Sequence, residues 1–285
     1  MPNISIVVPV YNEEKIVSSV LDKLLATIKN IDTHTFEVIV VNDHSKDKTL
    51  EILQRYDNIK LISNPYNLGY GASLKRGIRE AKGGWIFITD ADGTYPVEKL
   101  PEFLPYMKDY DMVIGSRTTE KSEIPLMRRP AKKFLNKFAS WLVSFDIPDL
   151  NSGMRMFKRD MCLEFWNLYP QRFSFTSTIT MAFIKNNYLV KYFPIDYHER
   201  VGQSSIRPLD FFNFLALVFR IAFYFQPLKF LTPIISVVFA IGLGKSIFDL
   251  WYQNFIGNFT IFLLTLSIIL IFLAVIADLL FKQRK

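Results

Sequence analysis

The stretch Trp85-Ile86-Phe87-Ile88-Thr89-Asp90-Ala91-Asp92-Gly93 reads as a short apolar strand that runs out into two carboxylates two residues apart. Two carboxylates on a chain leaving a strand can share one hard divalent cation. Mg²⁺ takes one or two protein carboxylates and fills the rest of its shell with water and substrate phosphate oxygens. Gly93 opens the backbone just beyond the pair. The alternative is an ordinary Asx-type turn, which any strand end can carry.

Working outward, strands and helices alternate. Ile4 to Val10 is a short apolar run, as in a buried strand, and Val17, Val20, Leu21, Leu24, Leu25 and Ile28 then repeat at helical spacing. Phe36 to Val41 reads as a strand, Thr49 to Tyr56 as a helix, Ile59 to Ser63 as a strand, Ser73 to Ala81 as a helix and Met112 to Gly115 as a fifth strand. This order predicts an α/β fold with a mostly parallel sheet and helices on both faces. Such sheets bind ligands at the C-terminal ends of their strands. Pro9 to Glu13, Asn42 to Asp47 and Asp90 to Thr94 therefore belong to one rim. Asp43, at the end of the second strand, is placed to hydrogen-bond a base or ribose, while Ser45 or Asp47 can cap the following helix. Gly69-Tyr70-Gly71 is not a dinucleotide fingerprint, because its third glycine position is Leu74 and no strand leads straight into it. It reads as a glycine-rich helix entry beneath the rim.

The last third of the 285 residues changes character. Phe259 to Ala277 carries no charge, and Leu228 to Gly244 is apolar except for Lys229. At about 1.5 Å per helical residue, the first of these runs is close to the ~30 Å of a bilayer's hydrocarbon core. The alternative is a pair of buried core helices, which would need a second large core to cover them. Lys and Arg cluster outside the hairpin: Arg207, Arg220 and Lys229 before it, and Lys282, Arg284 and Lys285 after it. The connector, with Lys245 and Asp249, is nearly neutral. By the positive-inside bias both flanks are expected in the cytoplasm, with the catalytic domain and C-terminus there. Lys121 to Ser144 sets Arg128, Arg129, Lys132, Lys133 and Lys137 around Phe134, Leu135, Phe138, Trp141 and Leu142. It reads either as an interfacial amphipathic helix or as a helix packed on its own domain with a solvated basic face. Residues 207–225 read as a second interfacial helix. The expected organisation is residues 1–206 as the cytosolic domain, 207–227 as the interfacial helix and 228–285 as a membrane domain with spans at about 228–250 and 257–281. The N-terminus opens directly into a strand, so no cleaved signal is expected. The lone Cys162 excludes a disulfide within the chain and fits a reducing compartment. The formal charge of +7 suits a membrane surface or phosphate ligands. No reading helix or aromatic RNA platform points to nucleic acid.

Four ordered motifs carry a resemblance: Val7-Val8-Pro9-Val10-Tyr11-Asn12-Glu13-Glu14, Val41-Asn42-Asp43-His44-Ser45-Lys46-Asp47-Lys48-Thr49, Asn67-Leu68-Gly69 and Asp90-Ala91-Asp92. Together they resemble family 2 glycosyltransferases of the GT-A fold. Gly115-Ser116-Arg117, Asp149 to Phe157 and His198 to Ser205 look like the polyprenyl-phosphate subfamily, which includes dolichol-phosphate mannose and glucose synthases and undecaprenyl relatives. The resemblance implies a nucleotide-sugar site at Pro9, Tyr11, Asn12, Glu13, Asp43, Asp90, Ala91 and Asp92. It implies Mg²⁺ or Mn²⁺ on Asp90 and Asp92. It places Arg117, Arg200 and Ser205 on donor or acceptor phosphate, with Asp92, Arg117 and Arg200 as the residues that carry catalysis. The donor would be a UDP-hexose or GDP-mannose, the acceptor a polyprenyl phosphate, and the partner surface the membrane, with protomers packing through their spans. Two departures stand out. Thr94 sits where mannose synthases often place Gln, and Asn42 and His44 replace the usual Asp and Gly.

The acceptor phosphate monoester has a second pKa near ~6 and is largely dianionic at neutral pH. It needs no protein base, and none of His34, His44 and His198 forms a dyad with a nucleophile. In-line attack would then invert the anomeric carbon. The competing reading is a family 2 membrane transferase acting on a glycan or polysaccharide. A processive synthase would carry a Gln-x-x-Arg-Trp motif, which this chain lacks, and more than two spans.

Overall fold

The computed structural model describes residues 3–118, 129–171, 174–198, 219 and 222–282. The chain divides into two compact units, residues 1–138 with 145–207, and residues 139–144 with 208–285.

The first unit is built on a seven-stranded sheet. β1 (Ile4–Val10) lies at its centre, with β2 (Phe36–Asn42), β3 (Lys60–Ser63), β4 (Trp85–Ile88), β5 (Met112–Ser116), β6 (Arg155–Lys158) and β7 (Val190–Pro194) in the order β3-β2-β1-β4-β6-β5-β7. Neighbours are parallel except around β6, which runs antiparallel to both β4 and β5. Every residue of β1 is buried, as its run, apolar but for Ser5, requires. Its two faces serve different helices. Ile4, Ile6, Val8 and Val10 join one core cluster with Val17, Val20, Leu21 and Leu24 of α1 (Val17–Lys29). On the other face Val7 meets α3 (Tyr70–Glu80) at Gly77, where any Cβ would collide with the Val7 methyl. Between them runs α2 (Thr49–Leu53), and a single turn, α4 (Leu100–Phe103), precedes β5.

The expected strands all form, within a residue or two of their anticipated ends. β6 is the addition. Its four residues lie inside the Asp149-to-Phe157 motif and insert antiparallel between β4 and β5, so the sheet is mixed at that end.

α5 (Arg129–Val143) forms within the basic aromatic stretch. Residues 119–128, the start of that stretch, lie outside the described residues. Leu135, Ala139 and Leu142 are buried at helical spacing, while Lys133, Phe134, Lys137 and Trp141 are exposed. The helix therefore packs one face and also presents aromatic rings beside its cations. α6 (Arg159–Glu164) and α7 (Phe175–Lys185) complete the first unit. The interfacial helix anticipated at 207–225 falls mostly outside the described residues, with Phe219 and residues 222–225 helical.

In the second unit α8 (Pro227–Gln253) and α9 (Asn258–Lys282) form a hairpin. Leu231 and Ile235, early in α8, pack with Ala274, late in α9, and Gly242 lies against Leu263 and Leu264. The helices are therefore antiparallel. Both are long and apolar enough to cross a membrane. Their outer faces are uncovered within the chain, Trp251 being 80% and Phe272 64% exposed, which is the reverse of a core helix. Lys245 and Asp249 lie within α8 and not in the connector as their charge alone had placed them. They pair one turn apart, and Asp249 Oδ2 accepts the Gly257 amide at 3.0 Å and the Thr260 hydroxyl at 2.6 Å. The carboxylate thus closes the hairpin turn and supplies partners to the start of α9, where orphan amides would otherwise be buried.

Candidate functional site

The parallel register sets the site. Val10 is level with Asn42 and Val7 with Ile88, so the chain leaves β1, β2 and β4 on one edge. There a cavity of about 390 Å³ opens between Pro9, Val10, Tyr11 and Glu13 at the end of β1, Asp43 after β2, Asn67, Gly69 and Tyr70 at the head of α3, and Asp90, Ala91 and Asp92 after β4.

The loops after β1 and β2 hold each other through side chain to backbone bonds. Asn12, at φ 54°, receives its amide's partner from Ser45 Oγ at 3.0 Å, and its own Oδ1 accepts the Lys46 amide at 2.8 Å. The Glu13 amide donates to Thr49 Oγ1 at 2.9 Å. Asp47 accepts the Glu14 amide at 3.2 Å and the Thr49 amide at 3.0 Å, so it starts α2 and ties it to the first loop. Burial alone would raise the Asp47 pKa, but the Thr49 and Glu14 bonds outweigh it and hold the carboxyl below its ordinary value. Asn12 thus shapes the rim and is not itself on the cavity lining.

Asp43 lines the cavity and also holds it open. Its Oδ1 accepts Asn64 Nδ2 at 2.7 Å and the Leu68 amide at 2.9 Å, and its Oδ2 the Gly69 amide at 2.8 Å. These bonds fix the turn into α3, where Gly69 takes φ 99°. The departure at Asn42 has a local purpose: the residue is buried, and its Oδ1 accepts the Ser45 amide at 3.2 Å. His44 sits at φ 60°, which is why glycine suits that position.

Asp90 and Asp92 are held from opposite sides. The Tyr70 hydroxyl donates to Asp90 Oδ1 at 2.9 Å. Asp92 Oδ1 accepts the Thr94 amide at 3.1 Å and its hydroxyl at 2.6 Å. Thr94 is therefore spent on orienting Asp92. Gly93, at φ 75°, turns the chain between them. Among the described residues no three His, Cys, Asp or Glu side chains cluster to cage a metal. Two hard carboxylates, each oriented by a protein donor on one oxygen, nevertheless fit Mg²⁺ or Mn²⁺ when substrate phosphate completes the shell.

Arg117 follows β5 and does not line this cavity. Asp149 accepts its Nε at 2.7 Å and Nη2 at 2.8 Å in a two-pronged pair, with Asp149 fully buried. The guanidinium also lies 5.1 Å from the Tyr197 ring. Burial alone would lower its pKa; Tyr95 and Asp149 reverse that, and the charge is locked in. Arg200 and Ser205 lie outside the described residues. Asn67, Tyr70 and Asp149 stand in the motifs quoted above but carried no site role there, and Ser73 stood in none; the first two and Ser73 line the cavity and Asp149 backs Arg117. Tyr70 could have been found from its place in the first turn of a helix entering the rim.

With this geometry in place, the comparisons with known proteins fall into line. The family model described as Glycosyl transferase family 2 matches residues 5–166. The chain belongs to glycosyl transferase family 2. A dolichyl-phosphate beta-glucosyltransferase (ALG5A) of Trichomonas vaginalis is 32% identical over 221 residues, 70% of this chain and 67% of that one. A dolichyl-phosphate hexose transferase of Haloferax volcanii is 30% identical over 208 residues, 72% of this chain and 87% of that one. Among solved structures, glucosyl-3-phosphoglycerate synthase of Mycobacterium tuberculosis, in complex with Mn²⁺, UDP-glucose and phosphoglyceric acid, superposes with a TM-score of 0.59 at 16% identity, covering 78% of this chain and 79% of that one. At that identity the likeness speaks for the fold, which is the GT-A arrangement anticipated from the motifs.

Proposed function

We propose that the protein transfers a hexose from a nucleotide diphosphate sugar to a polyprenyl phosphate, with inversion, giving a lipid-phosphate-linked monosaccharide. The observation that carries this reading is the Asp90–Asp92 pair, oriented at the end of β4 on a cavity walled by the β1 and β2 loops. The dolichyl-phosphate transferases among the relatives and the apolar hairpin support a lipid acceptor.

Base and ribose would lie against Pro9 to Glu13 and Asp43. Asp90 and Asp92 would hold Mg²⁺ or Mn²⁺ on the diphosphate. The bound cation neutralises charge on the departing nucleoside diphosphate. Arg117, with Nε and Nη2 given to Asp149, would meet a phosphate with the opposite edge of its fork. Arg200 and Ser205 join it at the acceptor. The acceptor oxygen is already deprotonated, so the protein's work is to position it and to stabilise charge. The hairpin confines the lipid phosphate to the plane of the membrane, and α5 rests there through Phe134 and Trp141 with Lys133 and Lys137 on the headgroups. Catalytic unit and C-terminus face the cytoplasm.

The test supplies radiolabelled nucleotide sugars and polyprenyl phosphate to the purified full chain. Label is expected in a chloroform-soluble, mild-acid-labile product. Label confined to a water-soluble glycan would replace this reading with the glycan-acceptor one.

A further inference from the structure

Tyr70 opens α3 at the cavity wall, and its hydroxyl reaches across to Asp90 Oδ1 at 2.9 Å. The other side of the same carboxylate is closed by backbone. A Cβ on Gly153 would stand 2.6 Å from Asp90 Oδ2 and 2.9 Å from its Cγ. Gly153 is itself fixed, its amide donating to the buried Tyr95 hydroxyl at 2.6 Å. Asp90 is thus gripped between a hydroxyl from α3 and a glycine just before β6, the strand paired antiparallel to its own. An aspartate carboxyl otherwise turns broadly about its last torsion.

We infer that Tyr70 is a positioning residue, whose hydroxyl fixes Asp90 in the one orientation that receives a divalent cation on a nucleotide diphosphate. The inference rests on the metal-dependent reading of Asp90 and Asp92 above. Hydrogen-bond partners behind a metal ligand carry a large share of its affinity, and their loss costs roughly 10- to 100-fold.

The experiment compares the full-length wild type, Tyr70→Phe and Gly153→Ala. Mn²⁺ uptake is followed by electron paramagnetic resonance with UDP or GDP present, and metal-free nucleotide binding by calorimetry. Tyr70→Phe keeps the ring and loses only the donor. It is expected to weaken Mn²⁺ uptake about 10- to 100-fold while metal-free nucleotide binding holds. Gly153→Ala displaces the carboxylate from the other side, shifts uptake the same way, and answers the question if Tyr70→Phe is poorly folded. In turnover, the Mn²⁺ concentration for half-maximal rate rises more than the rate at saturating Mn²⁺ falls. Wild-type Mn²⁺ affinity in both variants overturns the inference and leaves the metal reading standing. Parallel loss of metal-free nucleotide binding also overturns it, since that marks collapse of the cavity. If the wild type takes up no Mn²⁺ with either diphosphate, the metal reading falls and this inference with it.

Discussion

The two ends of the sheet place their polar residues by different means. On the β3-β2-β1-β4 side, neutral and acidic side chains accept backbone amides from neighbouring loops: Ser45 from Asn12, Thr49 from Glu13, Asp47 from Glu14, and Asp43 from Leu68 and Gly69. On the β6-β5-β7 side, guanidinium groups hold the structure, one partly and one fully buried. Arg117 pairs with Asp149, and the fully buried Arg155 donates to the Thr176 carbonyl at 2.9 Å, to Thr180 Oγ1 at 2.7 Å and to the Ser152 carbonyl. The first device makes a preformed cradle from backbone, suited to a ligand of constant shape such as a nucleotide. The second keeps cationic charge within a low-dielectric wall, where one change of partner has a large effect.

The largest expected effect lies where the two sides meet. Asp92→Ala should leave the first unit folded and reduce transfer on the order of 10³-fold, because several kcal/mol of charge stabilisation is lost. Circular dichroism and a transfer assay at saturating Mn²⁺ check this. Near-normal turnover, or full activity of the wild type in excess chelator, would remove the metal from the site.

Next comes the charged wall. Asp149→Ala leaves a partly buried Arg117 without its carboxylate and should cost about 1.5–3 kcal/mol of stability, the range for a hydrogen-bonded charged group. The matching change on the cradle side, Asp43→Ala, strands the donors of Asn64, Leu68 and Gly69, and at about 1–3 kcal/mol for a buried unsatisfied group it should also be felt in stability. Denaturant titration of both variants sets the two devices side by side. If Asp43→Ala loses nucleotide binding at unchanged stability, Asp43 serves the ligand more than the loop.

These pairs also explain what could and could not be read from the sequence. β1, β2 and β4 announce themselves by dense apolar runs, interrupted only by Ser5 in β1 and by Glu37 and the terminal Asn42 in β2, and the acidic motifs stand at their ends, so the donor rim follows from topology. β6 does not announce itself. Arg155-Met156-Phe157-Lys158 is short and charged, and its place between β4 and β5 is set by pairing with strands some seventy and forty positions earlier. The Arg117–Asp149 pair joins residues 32 apart, one after β5 and one ahead of β6, so no local pattern reveals it. Lys245 and Asp249 misled for a related reason. Charge marks a helix end in a membrane segment only when it is unpaired, and these two pair inside α8.

A smaller effect distinguishes the acceptor arginines. Arg117→Lys and Arg200→Lys keep the charge and lose the planar fork. Each should raise the polyprenyl phosphate needed for half-maximal rate about tenfold, with donor affinity changed less, since roughly one charge-assisted bond is lost. A titration of lipid phosphate checks this. A defect confined to the donor would move the acceptor phosphate to Lys132, Lys133 and Lys137.

The smallest effect tests how much strain the cradle tolerates. Asn12 and His44 both take the left-handed conformation, at φ 54° and 60°. Asn12 is suited to it, since its short amide bonds the Lys46 backbone there. His44 is exposed, and its backbone bears the cost of a Cβ in that region, roughly 1–2 kcal/mol. Glycine would relieve that cost but would lose more conformational freedom on folding, by roughly 0.5–1 kcal/mol. His44→Gly should therefore stabilise the fold by less than about 1 kcal/mol, which for a unit of this size is a rise of at most about 2–4 °C in the unfolding midpoint. Transfer should not change, because the Asp43 carboxylate is held from Asn64, Leu68 and Gly69 and not from residue 44. A lower midpoint would mean the imidazole stabilises the rim more than its backbone strains it. An unchanged midpoint with weakened nucleotide binding would place the histidine ring on the donor, and the chain's departure from glycine would then be a matter of specificity.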